Sequence, residues 1–64
     1  MNNILKQIRE EENMTQEELS KKSGVSRTTI SELETQKTER ITNITLENLA
    51  KALNRKVTEI FFTE

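Results

Sequence analysis

Apolar residues recur along the chain in short groups with helical spacing, and polar residues fill the positions between them. The first group, Ile4, Leu5 and Ile8, makes a single stripe along one side of a helix. Similar groups follow, and no segment shows the strict alternation that is typical of a half-buried strand. The pattern predicts an all-α fold of five short helices at about 2–12, 16–22, 27–34, 46–53 and 57–62.

Residues 15–34 contain the clearest start and stop signals. Thr15 is placed to cap a helix, and Glu18, three residues later, is placed to complete a capping box. Ser26 can cap the next helix. Gly24 lies between them, where the first helix must end and where a left-handed backbone is most needed. Two short helices around a tight turn predict a helix-turn-helix at about 15–34.

The other boundaries depend on weaker signals. Asn13 and Asn54 are placed to end the first and fourth helices in left-handed turns. Residues 36–44 form the one long connection and contain neither Gly nor Pro, and we expect Ile41 and Ile44 to pin them to the core. Thr45 is the predicted cap of the fourth helix.

Composition restricts the class of protein. Sixty-four residues allow one domain. The chain has neither cysteine nor histidine, which removes disulfides, the usual zinc ligands and the commonest general base near neutral pH. We therefore expect no enzyme, no metal or cofactor site and no small-molecule ligand. No apolar run approaches the roughly 20 residues of a membrane span, and no signal-peptide pattern opens the chain, so we expect a cytoplasmic protein without membrane association.

The net charge of −1 comes from ten Lys and Arg residues against eleven Glu residues. A dedicated nucleic-acid-binding domain is usually basic, so this total argues mildly against one. Distribution sets the local field in a small domain, however. The basic residues cluster at Lys21, Lys22, Arg27, Lys37 and Arg40. Charge alone therefore leaves the partner open.

The third predicted helix has one apolar face and one polar face. At about 100° per residue, Ile30 and Leu33 define the buried side. The polar residues that project away from this side are Arg27, Thr28, Ser31 and Glu32. Because this outward face carries no large apolar residue, it is available to donate and accept hydrogen bonds.

Taken together, these groups resemble a known family. The matching positions are Leu5, Ile8-Arg9, residues 14–19, residues 24–26, Ile30-Ser31, Leu33-Glu34, Leu46, residues 49–53 and Ile60-Phe61. Over this span the chain looks like the phage Cro/repressor type of helix-turn-helix domain, also called the XRE family. The resemblance implies a lambda-repressor-like domain of five helices that binds double-stranded DNA with its third helix in the major groove.

By position, the resemblance places five residues on the surface that would face the bases: Ser26, Arg27, Thr28, Ser31 and Glu32. Arg27 is favoured as a contact to guanine, and a phosphate contact without sequence information is the alternative. Thr28 and Ser31 can touch a thymine methyl group or donate to a base. Glu32 can accept from cytosine or orient Arg27.

The resemblance also implies contacts to the DNA backbone and one structural ion pair. Gln16 opens the second helix, where the family commonly contacts a phosphate, and an ordinary first-turn residue is the alternative. Lys37 and Arg40 follow the third helix as phosphate contacts or as plain surface charges. Arg9 and Glu34 are expected to pair between the first and third helices, with two independent surface charges as the alternative.

Function and assembly follow from the same resemblance. The leading hypothesis is a sequence-specific transcriptional repressor that acts as a homodimer on an inverted repeat, because one small domain offers few DNA contacts. A protein-interaction module, such as an antitoxin-like partner, is the alternative. Residues 57–62 are the expected dimer surface, with Ile60 and Phe62 as candidates, although the pattern also brings Ile60 inward and core packing is the alternative for Phe62. Thr35-Gln36 departs from the Asn-Gly that the family often has after the third helix.

Overall fold

Capping signals set most of the helix boundaries. The computed structural model describes residues 2–37 and 41–62, and the helices in these two ranges are α1 Leu5–Glu11, α2 Gln16–Ser23, α3 Arg27–Glu34, α4 Asn43–Ala52 and α5 Val57–Ile60. Two short strands, β1 Asn2–Asn3 and β2 Phe61–Phe62, pair antiparallel. The predicted all-α class is confirmed, with this sheet as a small addition. None of these helices is long and apolar enough to span a membrane.

The helix-turn-helix forms as its capping residues predict. The Thr15 hydroxyl accepts the Glu18 N–H at 3.0 Å, and the Glu18 carboxylate accepts the Thr15 N–H at 2.9 Å, which completes the capping box. The Ser26 hydroxyl accepts the Thr29 N–H at 3.1 Å at the start of α3. Gly24 ends α2 with a φ of 76°, which glycine adopts without strain. These predictions are confirmed, and α2 extends one residue further than expected.

The turns that follow α1, α3 and α4 each contain a non-glycine residue in the left-handed region. Asn13, Gln36 and Asn54 have φ values of 57°, 61° and 56°. After each helix, two successive backbone N–H groups donate to carbonyls of the last turn, which is the Schellman arrangement. The stops predicted at Asn13 and Asn54 are confirmed, and the one at Gln36 is an additional finding.

The first predicted helix starts too early. Residues 2–3 are extended and pair with β2, so that Asn3 lies opposite Phe61. The Ile4 N–H then donates to the Ile60 carbonyl at 2.9 Å. This pairing satisfies backbone groups that a helix start would leave open. The same sheet shortens the last predicted helix, which ends at Ile60.

The fourth helix starts earlier than predicted, and its cap is Thr42 instead of Thr45. The Thr42 hydroxyl accepts the Thr45 N–H at 3.2 Å, and the two hydroxyl oxygens lie 2.9 Å apart. Because the helix begins at Asn43, Ile44 turns outward and is 69% exposed. The expected packing of Ile44 in the core is therefore wrong, whereas Ile41 does pack against the core.

One hydrophobic core connects the five helices. Its most buried side chains are Leu5, Leu19, Ile30, Leu33, Leu49, Leu53 and Ile60. Helix α2 packs against α3 and α4, and α1 packs against α3, so α3 is held with one face on the core. The burial of Ile60 corrects its place in the expected dimer surface, because a side chain inside the monomer core is not available to a second copy.

Candidate nucleic-acid interface

Helix α3 presents its polar face to solvent. Ile30 and Leu33 are buried at 0% and 1% exposure, and this fixes the rotation of the helix about its axis. The residues on the opposite side are the exposed Arg27, Thr28 and Glu32 and the half-buried Ser31. This orientation agrees with the one that the apolar spacing predicts.

A shallow cleft lies between the start of α2 and the outer face of α3. It is lined by Gln16, Arg27, Thr28, Ser31 and Glu32. These residues bring an amide, a guanidinium, two hydroxyls and a carboxylate to one surface, so donors and acceptors lie close together. The edges of base pairs present both kinds of group in the major groove. Four residues expected to face bases and one expected to contact phosphate thus line the same surface.

Ser26 is the exception among the expected base contacts. Its hydroxyl accepts the Thr29 N–H at 3.1 Å and donates to the Thr29 hydroxyl at 2.9 Å. Both bonds belong to the cap of α3, and Ser26 is exposed but does not line the cleft. Its hydroxyl therefore caps the N-terminus of α3.

Arg9 and Glu34 form the expected ion pair between α1 and α3. Arg9 Nε lies 2.7 Å from Glu34 Oε2, and Arg9 Nη2 lies 3.1 Å from Glu34 Oε1, so the two groups meet in a bidentate arrangement. The side chains of Arg9 and Glu34 are only 11% and 3% exposed. The hydrogen bond to Glu34 raises the pKa of Arg9 above its ordinary value, so the guanidinium stays charged.

The ion pair also holds the start of α2 in place. The sequence predicts where α2 starts but does not indicate this connection. Arg9 Nη1 donates to the Met14 carbonyl at 2.6 Å, just before the α2 cap. Gln16 Nε2 donates to Glu34 Oε1 at 3.1 Å. A single carboxylate on α3 therefore holds a side chain from α1 and another from α2. The hydrogen bond to Glu34 therefore fixes the position of the Gln16 amide at the cleft.

The turn after α3 carries one of the two remaining expected phosphate contacts. Lys37 is exposed, and its backbone N–H donates to the Glu32 carbonyl at 2.9 Å, which closes the Schellman turn. The Lys37 side chain therefore starts directly beyond the end of α3. Arg40, the other expected contact, lies outside the residues that the structure describes.

Asn3 and Gln36 connect this turn to β1, and the helical pattern assigns neither residue a role. Asn3 Nδ2 donates to the Leu33 carbonyl at 2.9 Å and to Gln36 Oε1 at 3.2 Å. Gln36 Nε2 donates to the Asn3 carbonyl at 3.1 Å. The resemblance stated above contains a signal at this point, because the resembled family often has Asn-Gly where Thr35-Gln36 stands, and a glycine there favours a left-handed residue after α3.

Part of the acidic charge is paired away from the cleft. Arg55 Nη2 lies 3.2 Å from Glu12 and 3.4 Å from Glu11, and the hydrogen bond to Glu12 is the main cause that raises the pKa of Arg55. None of these three residues lines the cleft. Within residues 2–37 and 41–62, no cluster of carboxylates is arranged to hold a metal ion. Part of the negative charge in the composition therefore lies outside the cleft.

Comparisons with known proteins agree with this geometry. A family model described as helix-turn-helix, of the Cro/C1 type, matches residues 5–60, which include all five helices. Neither a curated protein nor a solved structure matched the chain. The matched family is one of DNA-binding regulatory domains and not of enzymes. Because the match covers most of the chain and contains the whole cleft, the chain belongs to the XRE family of Cro/C1-type helix-turn-helix proteins and is a DNA-binding transcription regulator of that type.

Proposed function

We propose that this regulator is a sequence-specific repressor that binds an inverted-repeat operator as a homodimer, with α3 in the major groove. The observation that carries the proposal is the cleft lined by Gln16, Arg27, Thr28, Ser31 and Glu32. It combines the outer face of α3 with the first residue of α2. A helix-turn-helix applies these two surfaces to the base edges and to the DNA backbone, respectively.

Arg27 reads a guanine in this proposal. It is exposed in the first turn of α3, at the end of a recognition helix that approaches the bases most closely. Its guanidinium can donate to O6 and N7 of guanine together, which discriminates against a wrong base by about 1–3 kcal/mol. Glu32 lies five residues further along α3, about 7.5 Å along the helix axis. We therefore assign Glu32 to the N4 amino group of a cytosine in another base pair, instead of to Arg27.

Thr28 and Ser31 line the same cleft and lie between these two charged residues along α3. Each carries a hydroxyl that can donate to a base, and Thr28 also carries a methyl group that can pack against the C5-methyl group of thymine. Short side chains at these positions let the backbone of α3 lie close to the base edges. The methyl contact of Thr28 adds selectivity for an A·T pair beside the pairs that the charged residues read.

Gln16 and Lys37 hold the phosphates on the two sides of α3. One N–H of the Gln16 amide is bonded to Glu34, and its second N–H is available to a phosphate oxygen. Gln16 also opens α2, whose first backbone N–H groups lack partners within the helix and favour anions. Lys37 supplies a cation beyond the end of α3. Such contacts fix the register and orientation of the protein on the duplex.

Phe62 supports the dimeric assembly. It is 39% exposed at the end of β2, whereas its neighbour Phe61 is 6% exposed. A second copy that covers Phe62 would remove aromatic surface from water, at about 25 cal/mol for each Å². The dimer would also double the number of DNA contacts and set the half-sites about one helical turn apart. A dimer bound in this way represses by occupying the DNA.

The salt dependence of DNA binding tests the proposal against its alternative, an antitoxin-like module that binds another protein. Fluorescence anisotropy with a labelled random-sequence duplex measures the binding constant between about 50 and 200 mM salt. We expect affinity to fall steeply, because each phosphate contact contributes about −0.9 to the slope of the logarithmic plot. A flat response, or no binding at all, would favour the protein-partner function.

A further inference from the structure

The side chain of Asn3 connects three parts of the chain. Its Oδ1 accepts the Leu5 N–H at 3.0 Å at the start of α1. Its Nδ2 donates to the Leu33 carbonyl at 2.9 Å, in the last turn of α3, and to Gln36 Oε1 at 3.2 Å. Gln36 Nε2 completes the arrangement by donating to the Asn3 carbonyl at 3.1 Å. We call these mutual bonds of Asn3 and Gln36 the Asn3–Gln36 clamp.

The clamp is not needed to stop α3. Gln36 has a φ of 61°, a left-handed conformation that is unfavourable for a residue with a side chain. Glycine adopts the same conformation freely and would keep the backbone bonds of the turn. The glutamine is therefore strained at this position, and its side chain holds the turn against β1.

Asn3 provides a fixed platform for this attachment. It lies opposite Phe61 in the β1–β2 pair, and the adjacent Ile4 N–H donates to the Ile60 carbonyl at 2.9 Å. Ile60 is fully buried in the core. The clamp thus ties the end of α3 to β1. Backbone hydrogen bonds in turn hold β1 to β2 and to the neighbouring, buried Ile60.

We propose that Asn3 and Gln36 are positioning residues for DNA binding, because their clamp holds the turn that presents Lys37 to a DNA phosphate. The backbone N–H of Lys37 donates to the Glu32 carbonyl at 2.9 Å, so Lys37 is part of the same turn. With the clamp in place, the exposed Lys37 side chain extends from a fixed backbone. Less conformational freedom is therefore lost when its ammonium group binds a phosphate. This inference rests on the proposed contact between Lys37 and phosphate.

The variant Gln36→Gly tests the clamp without disturbing the fold, because it removes the side chain and relieves the backbone strain. We expect its thermal midpoint to equal or exceed that of the wild type. On a duplex enriched from a random pool, its affinity should nevertheless fall about three- to tenfold, and the slope of the salt plot should become shallower by about one, as for Lys37→Ala. Asn3→Ala should show the same two changes in binding.

Double variants distinguish positioning from independent contacts. Because the clamp acts through Lys37, Gln36→Gly added to Lys37→Ala should cause no further loss of affinity, and Asn3→Ala added to Gln36→Gly should cause none. Lys51→Ala, which removes one exposed charge from α4, serves as the control for net charge. A wild-type salt slope in Gln36→Gly would overturn the inference, and so would additive losses in the double variants. A normal affinity in folded Asn3→Ala would also overturn it, since Gln36 would then contact DNA by itself.

Failure of the inference is distinguishable from failure of the proposed function. If the wild type binds the duplex and Lys37→Ala makes its salt slope shallower, only the clamp variants decide the inference. If Lys37→Ala keeps the wild-type slope, Lys37 does not contact phosphate and the clamp has no binding role. If the wild type binds no DNA, the proposed function and the inference are both overturned.

Discussion

Arg9 and Glu34 meet in a bidentate ion pair, with Arg9 Nε 2.7 Å from Glu34 Oε2 and Arg9 Nη2 3.1 Å from Glu34 Oε1. Both side chains are largely shielded from water. The same carboxylate also accepts from Gln16, which lines the cleft beside α3. One buried contact therefore joins the packing of α1 against α3 to the geometry of the surface proposed to meet DNA.

Neutralising Glu34 should destabilise the protein strongly. Glu34→Gln leaves the Arg9 charge without its counterion in a largely buried position, and we expect a loss of about 3 kcal/mol in the free energy of unfolding. Urea denaturation measures this loss. Glu17→Gln is the matched control, because Glu17 is 63% exposed and pairs with Lys21 only at the surface, and it should change the free energy by less than about 0.5 kcal/mol. Similar effects of the two variants would contradict a buried pair.

The capping box of α2 should give a measurable pH dependence. The Thr15 N–H holds the pKa of Glu18 below its ordinary value of 4.5, with a further contribution from the Thr15 hydroxyl. Since the pKa is lower in the folded state, ionised Glu18 stabilises the fold above the unfolded-state pKa, and this contribution is lost as the pH falls through the folded-state value. The stability difference between the wild type and Glu18→Gln should therefore shrink on acidification. NMR titration of the Glu18 carboxyl group, folded and in urea, should give the lower pKa in the folded state, and equal values would rule out this contribution.

Thr42 and Thr45 should respond differently to substitution. The Thr42 hydroxyl accepts the Thr45 N–H, so Thr42→Ala removes the cap of α4 and should cost about 1 kcal/mol. Thr45→Ala keeps that acceptor and removes only a neighbouring hydroxyl, so it should cost less. Thermal unfolding of the two variants provides the comparison. A larger loss for Thr45→Ala would place the cap where the sequence pattern predicts it.

These cases show where the sequence determines the structure and where it does not. The capping box at Thr15, the glycine stop at Gly24 and the inward face of Ile30 and Leu33 depend on neighbours within a few residues. Local patterns therefore suffice to predict them. They also place most of the cleft residues on one helix face, because spacing at 3.6 residues per turn fixes which side chains share a direction.

The remaining features depend on partners that are distant in the sequence. Residues 2–3 pair with β2 at the other end of the chain, and this strand pairing replaces the helix that was extended to them from the apolar group beginning at Ile4. The bond from Gln16 to Glu34 and the clamp between Asn3 and Gln36 likewise join separate elements. Ile44 is expected inside, but α4 begins at Asn43, so Ile44 becomes a helix residue on the side opposite the buried Leu46 and Leu49.

Phe62 and Ile44 provide a matched test of the dimer surface. Both are large apolar residues with exposed side chains, at 39% and 69%, but only Phe62 lies in the segment proposed to dimerise. We expect Phe62→Ser to shift the protein toward monomer in sedimentation equilibrium, because the second copy loses its aromatic contact. Ile44→Ser should leave the association constant unchanged. A wild-type monomer at micromolar concentration, or an effect confined to Ile44→Ser, would contradict this assignment.

Selection of bound sequences from a random DNA pool tests sequence-specific binding by a homodimer most directly. The wild type should enrich an inverted repeat whose half-sites are centred about 10 base pairs, or a multiple of one helical turn, apart. Selection with Arg27→Ala should return the same repeat with relaxed preference at one base pair in each half-site, and with about 1–3 kcal/mol weaker binding. A pool without an enriched motif, or a single site without symmetry, would contradict recognition of an operator by two copies of α3.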